Sequence, residues 1–209
     1  MRVFILSTGR SGSNAFIEAC QHIENFTSGH ESLSRSFGPE RFDYPDNHVE
    51  ADNRLSWHLG SLHKLFGDET FYVHLKRDRD KVAQSFMKRF YSPGSIIDSF
   101  SEGLRKSQPE NLSKESRLAA CYDYVDTVNS NIEHFVDAKI NTMSIDLENI
   151  DVDFTEFWKR IDARGKLEDA LEEFKKRHNA TTKRKLKLRK RFKLAAKREW
   201  RHIVMSMMS

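Results

Sequence analysis

Ser7-Thr8-Gly9-Arg10-Ser11-Gly12-Ser13-Asn14 is the densest concentration of anion-binding chemistry in this chain. It follows directly on an apolar run, Val3-Phe4-Ile5-Leu6, and leads into Ala15, Phe16, Ala19, Cys20 and Ile23 at helical spacing. A buried strand that turns through small residues into a helix presents unpaired backbone N–H groups to a single point, at the positive end of the helix dipole. That point suits a phosphate or another tetrahedral oxyanion. Gly9 and Gly12 permit tight turning and close backbone approach, Ser11, Ser13 and Asn14 add donors, and Arg10 adds a fixed charge. The plainer alternative is a Gly- and Ser-rich strand-to-helix turn of the kind any α/β domain contains.

The turn is not a Walker A sequence: Gly9 and Gly12 are too close together, and no Lys follows Gly12. Nor does it read G-x-G-x-x-G. A second segment narrows the options. Phe71-Tyr72-Val73-His74-Leu75-Lys76 reads as another buried strand and runs into Arg77-Asp78-Arg79-Asp80. Arg77 then sits at the C-terminal end of a strand, where open α/β sheets bind their ligands. Ser85 lies eight residues on, in a helix whose apolar face is Val82, Ala83, Phe86, Met87 and Phe90. An Arg at a strand tip and a Ser on the following helix can grip a second phosphate together.

With these residues the chain resembles the sulfotransferases that use 3′-phosphoadenosine 5′-phosphosulfate (PAPS). In that family a strand–loop–helix of the type R/K-S-G-S/T-T/N wraps the 5′-phosphosulfate. A later strand ending R-D-P-R-D-x-x-x-S supplies an Arg and a Ser for the 3′-phosphate. Arg10-Ser11-Gly12-Ser13-Asn14 matches the first element, with Arg10 where a catalytic Lys often stands, and Arg77 and Ser85 match the second at the same spacing. Arg79 stands where the family has Pro. Asp52-Asn53-Arg54-Leu55-Ser56 is similar to a D-P-R-L segment, and Ser144-Ile145-Asp146-Leu147-Glu148 to a late Y-E-D-L turn with Ile for Tyr. The likeness runs over roughly residues 2 to 160. It implies PAPS as co-substrate, no metal, and a three-layer α/β/α domain of P-loop-NTPase-like type with a central parallel sheet of about five strands.

Sulfuryl transfer also needs a base for the acceptor. Gly29-His30-Glu31-Ser32 follows directly on the second expected strand, and several members of the family hold a catalytic Glu there. Glu31 is the first choice, with His30, Asp52 and His58 in reserve; the plainer role for Glu31 is an ion pair with Arg35 or Arg54. The acceptor itself is not legible, since family members sulfate sugars, lipids, steroids, phenols and tyrosines on one scaffold. Two other classes stay open. A small-molecule kinase would share the sheet and cradle but lacks its Walker Lys here, and a nucleic-acid-binding module would account only for the basic C-terminal segment.

That segment is sharply distinct. Residues 175–201 hold fourteen Lys and Arg against one Glu, a net of +13, which leaves the rest of the chain at −9 within the total of +4. Leu188, Phe192, Ala195, Ala196, Trp200, Ile203 and Val204 recur there at near-helical spacing. This divides the chain into an enzyme-like body over 1–174 and a basic amphipathic helix over 175–209. The helix either packs on the acidic body or meets a polyanion or acidic membrane through residues 183–202. Asn179, Thr181 and Lys183 precede it, and many sulfotransferases close over the nucleotide with a late basic loop, so these are candidate donor contacts.

The remaining expectations are coarse. At 209 residues the chain is one domain with 15 Phe and 3 Trp for its core. Cys20 and Cys121 fall on apolar helix faces, which fits a reducing compartment. The nine His show no metal-ligand spacing. No apolar run approaches the ~20 residues of a bilayer span and the chain opens on a strand, so a cytoplasmic protein is expected. Strands are expected at Asn25–Gly29, His48–Asp52 and Thr142–Ile145. Ser56 should cap a helix with Leu59, Leu62, Leu65 and Phe66 inside, and Gly67 should end it. Ser113 should cap a long helix with Leu118, Tyr122, Val125, Val128, Ile132 and Phe135 on one face. Ser92 to Pro109 reads as a loop or lid, and Phe154, Phe157, Trp158 and Ile161 mark a closing helix.

Overall fold

Val3, Phe4, Ile5 and Leu6 are all 0% exposed, because their strand lies in the middle of a sheet covered on both faces. The computed structural model describes residues 1–92, 94–107 and 112–176. Five strands, β1 (Arg2–Leu6), β2 (Thr27–His30), β3 (His48–Ala51), β4 (Phe71–Lys76) and β5 (Thr142–Asp146), form one sheet in the order β2-β3-β1-β4-β5. Every pairing is parallel. The chain leaves β1 toward β2 and β3 on one side and reaches β4 on the other. The C-terminal end of β1 is therefore the switch point of the sheet.

Strand alternation splits the core in two. Val3 and Ile5 face one layer, made of α1 (Ser13–Cys20), α6 (Ile150–Arg160) and α7 (Leu167–Lys175). There Phe16 meets Phe154 and Phe157 with ring centroids 5.2 and 5.1 Å apart. Phe4 and Leu6 face the other layer, made of α2 (Leu59–Phe66), α3 (Arg79–Met87), α4 (Ile96–Ser99) and α5 (Lys114–Asp137). The architecture is α/β/α, with a five-stranded parallel sheet between two helical layers. Among the described residues no helix is long and apolar enough to cross a membrane. Cys20 and Cys121 are buried and unpaired, and burial pushes both thiols well above the ordinary range.

Local signals placed several elements closely. Ser113 caps α5 by accepting from the Ser116 amide, and Gly67 ends α2 with φ +58°. Other expectations change, each for a tertiary reason. Asn25 lies outside β2: its side chain donates to the Asp162 carbonyl at 3.0 Å and accepts from the Arg164 amide at 2.7 Å, joining the turn after α6. Ser56 does not cap α2. It sits in a 3₁₀ turn (Asn53–Trp57) and donates to the Ser7 carbonyl at 3.1 Å, and no side chain caps the helix. Leu65 is 56% exposed, leaving Leu62 as the buried residue of α2. Within the expected loop, α4 runs into a π turn over Phe100–Leu104, because Ile97 and Phe100 are needed in the core. α7 was not expected. Leu167, Ala170, Leu171 and Phe174 have helical spacing, but they sit among acids that run straight into the basic segment.

Candidate functional site

The loop at the C-terminal end of β1 is held in a conformation few sequences tolerate. Gly9, Arg10 and Gly12 have φ of +77°, +62° and +90°. Glycine is needed at Gly12 for a second reason: a Cβ there would lie 2.8 Å from Leu147 Cδ1. At Gly9 a Cβ would lie 3.1 Å from the Asn53 amide group. Gly12 occupies the cap position of α1, and no side chain closes that end of the helix. Internal bonds stiffen the turn. The Gly9 amide donates to Ser7 Oγ at 3.1 Å, Ser11 and Thr8 hydroxyls lie 3.0 Å apart, and Ser11 Oγ donates to the Gly9 carbonyl. Tyr124, from α5, donates to the Thr8 carbonyl at 2.6 Å.

These bonds divide the expected contact residues. Ser11 is 1% exposed and its hydroxyl is spent inside the loop, so its contribution to a ligand is backbone only. Ser13 Oγ lies 3.0 Å from His30 Nε2, joining the cradle to the end of β2. Asn14 is half-buried on the first turn of α1, with no side-chain hydrogen bond among the described residues. Asn179, Thr181 and Lys183 lie outside the described residues, as does the basic segment after Lys176.

Arg77 and Ser85 converge on Arg10. Arg77 Nη1 donates to the Arg10 carbonyl at 2.9 Å, and Arg10 Nε donates to Ser85 Oγ at 2.9 Å. Burial, followed by the charges of Arg89 and Arg77, lowers the pKa of Arg10 from its ordinary value. Arg10, Arg77 and Arg89 form no ion pair with an acid among the described residues. Arg41, Arg79 and Arg105 each have one, with Asp52, Asp126 and Asp123, and Arg54 has two, with Glu31 and the more distant Asp52. Three clustered cations without a counter-ion make a place for an anion. Sequence reasoning missed Arg89, although it stands four residues beyond Ser85, in the turn that follows α3.

Arg79, where the resemblance leads one to expect Pro, opens α3 at the position that proline favours. It is instead tied to α5, with Nε and Nη2 each 2.6 Å from the Asp126 carboxylate and the guanidinium 4.1 Å from the Tyr122 ring centroid. The Asp78 side chain caps that helix, and Glu148 accepts from the Asp78 amide and Lys81. The late turn after β5 thus braces the Arg77 segment as well as closing over Gly12.

Beside the cradle, His30, Glu31, Ser32, Ser34, Arg35 and Arg54 line a cleft of about 490 Å³. Glu31 has φ +53° and lies 2.9 Å from Arg54 Nη1, so of the two arginines expected as partners the one engaged is Arg54. Beneath the cleft Glu50 is fully buried and accepts from the Ser32 amide at 2.9 Å and the Ser32 hydroxyl at 2.6 Å, with His48 Nε2 at 3.1 Å. Burial raises its pKa, but the His48 and Ser32 bonds outweigh that and leave it below the ordinary value.

The two remaining reserves for the base are engaged elsewhere. Asp52 is buried against Arg41 at 2.5 Å and accepts from the Arg54 amide, with burial raising its pKa. His58 keeps much of its surface in water with its ring edge-on to Phe42, and partial desolvation followed by the charge of Arg41 lowers its pKa. No family model and no curated protein matches this chain.

Proposed function

We propose that this protein transfers the sulfuryl group of PAPS to an acceptor hydroxyl or amine by in-line displacement. The observation that carries this reading is the meeting of Arg77 and Ser85 at Arg10, with Arg89 nearby and no ion pair to an acid among the described residues. Arg77 and Ser85 hold the 3′-phosphate. The loop amides from Arg10 to Asn14 and the Ser13 hydroxyl hold the 5′-phosphosulfate. Arg10 stays charged throughout, so it stabilises charge on the leaving phosphate without giving it a proton. Glu31 accepts the acceptor's proton as the new O–S or N–S bond forms and the bridging S–O bond to phosphate breaks, releasing 3′-phosphoadenosine 5′-phosphate. As in phosphoryl transfer, most of the catalysis is positioning and electrostatics.

The test needs no acceptor. 3′-Phosphoadenosine 5′-phosphate should bind at least tenfold more tightly than AMP, because a charged hydrogen bond contributes roughly 1.5–3 kcal/mol. At about a hundred times its Kd it should add roughly 2.7 kcal/mol of stability, a shift on the order of 5–10 °C for a chain of this size. Arg77→Ala should erase most of the discrimination and leave the protein folded, since Arg77 is a half-buried strand-tip residue outside the core. Equal shifts with AMP and the 3′-phosphorylated nucleotide, or a larger shift with ATP–Mg²⁺, would overturn the reading in favour of a kinase.

A further inference from the structure

The cleft beside the cradle has a size ordinary for small-molecule sites, which span about 300–1,000 Å³, but its chemistry is not ordinary. Such pockets are mostly apolar, whereas His30, Glu31, Ser32, Ser34, Arg35 and Arg54 are all polar or charged. Leu33, the apolar residue in this stretch, packs against the α2–α5 core. A phenol or steroid would strip water from these groups and return neither an apolar wall nor enough hydrogen bonds.

Charge and bonding narrow the ligand further. Glu31 is paired with Arg54, whereas Arg35 is exposed and has no ion pair or side-chain hydrogen bond among the described residues. Of the charged side chains lining the cleft, Arg35 is therefore the one without an ion-pair partner among the described residues. Ser32 donates its hydroxyl proton to Glu50 and can only accept from a ligand, whereas the Ser34 hydroxyl has no partner among the described residues and can do either. Donor, acceptor and cation line one small space, and the complement is a molecule with several hydroxyls and one carboxylate.

We infer that the acceptor is an acidic saccharide, its carboxylate on Arg35, its ring hydroxyls on Ser32 and Ser34, and its reacting hydroxyl at Glu31. This rests on the sulfuryl-transfer reading and names the substrate class of that site. Calorimetric titration tests it with three probes: a glucuronate–glucose disaccharide, the same disaccharide with glucose replacing glucuronate, and p-nitrophenol. Each is titrated into the full chain and into Arg35→Ala, with and without saturating 3′-phosphoadenosine 5′-phosphate. The glucuronate probe should bind at least tenfold more tightly than the neutral disaccharide, p-nitrophenol should bind most weakly, and Arg35→Ala should abolish the preference. Arg35 has no ion-pair or side-chain hydrogen-bond partner to lose among the described residues, so the variant should fold normally, which its nucleotide titration checks. Equal binding of the neutral disaccharide or p-nitrophenol, no binding of any probe, or a preference that survives in Arg35→Ala would overturn the inference. If nucleotide binding is intact in that case, the donor reading stands and only the acceptor class falls. Failure of the nucleotide to bind overturns sulfuryl transfer, and the acceptor role with it, whatever the saccharide does.

Discussion

Glu31 and Arg54 meet 2.9 Å apart with side chains 36% and 37% exposed, which sets what each contributes. An ion pair this open to water stabilises a fold by about 0–1 kcal/mol, so the pair is not what holds the cleft together. Its geometric consequence is larger: the guanidinium holds the carboxylate in place on the cleft wall. Glu31→Gln should therefore fold and bind 3′-phosphoadenosine 5′-phosphate as the natural chain does. Turnover on the true acceptor should fall by roughly 10²–10⁴-fold, the usual range for loss of a general base. Steady-state rates measured with PAPS check this, and a variant that keeps most of its turnover would move the role to His30. Arg10 shows the same separation of stability from function. A non-glycine residue at φ +62° is strained, typically by about 1–3 kcal/mol, and a charge crowded by Arg77 and Arg89 adds to that.

β3 reads poorly as a strand, His-Val-Glu-Ala, yet all four residues are buried. It survives because its polar side chains satisfy one another and the neighbouring turn. Thr27 lies 2.8 Å from His48 Nδ1, His48 Nε2 meets Glu50, and Glu50 holds Ser32. Gly29 makes room for this network, since a Cβ there would lie 2.6 Å from Glu50 Oε2. The network predicts a pH dependence of stability. A carboxylate whose folded pKa is depressed stabilises the fold above its unfolded value, and that contribution is lost as pH falls through the folded pKa. For Glu50 it should be complete above the ordinary value of 4.5 and lost progressively below it. Urea unfolding across pH 3–7 checks the sign. Glu50→Gln should be less stable than the natural chain at pH 7 and should lose less stability on acidification. An equal acid slope in both proteins would place the acid sensitivity elsewhere.

Charge is distributed over the entire chain in opposition: fourteen basic residues against one acid in 175–201, and a net of −9 elsewhere. Such a block attracts polyanions through counterion release, with an affinity that falls steeply as salt rises. Removing residues 183–209 should abolish salt-sensitive retention on heparin, and should leave the preference for 3′-phosphoadenosine 5′-phosphate over AMP intact if Arg77 and Ser85 alone create it. Heparin chromatography and nucleotide titration of the shortened protein read the two effects separately. Loss of the nucleotide preference would instead assign a donor contact to Lys183 or the residues that follow it. On the described body, the parallel sheet brings the tips of β1 and β4 side by side, and this brings residues 10, 77 and 85 to one point.

Much of that body is written locally. The apolar run of β1, the β4 strand at Phe71–Lys76, the Ser113 cap and the glycine turn follow from side-chain periodicity and backbone freedom within a few residues. The spacing of Arg77 and Ser85 is equally local, since a strand tip and the helix that follows it are fixed by the same short stretch of chain. α7 was legible too, in the spacing of Leu167, Ala170, Leu171 and Phe174, but it was obscured by the charges around it. Other features depend on partners far away in sequence. Asn25 left its strand for the turn at Asp162 and Arg164, and Ser56 left its cap for the Ser7 carbonyl. The Ser11 hydroxyl turned into the loop, Glu31 took Arg54 and not Arg35, and Glu50 was buried among donors that no periodicity advertises. The physical difference is range: helix and strand patterns are set by neighbours along the chain, whereas a polar side chain chooses among partners only once packing has brought them within about 3 Å.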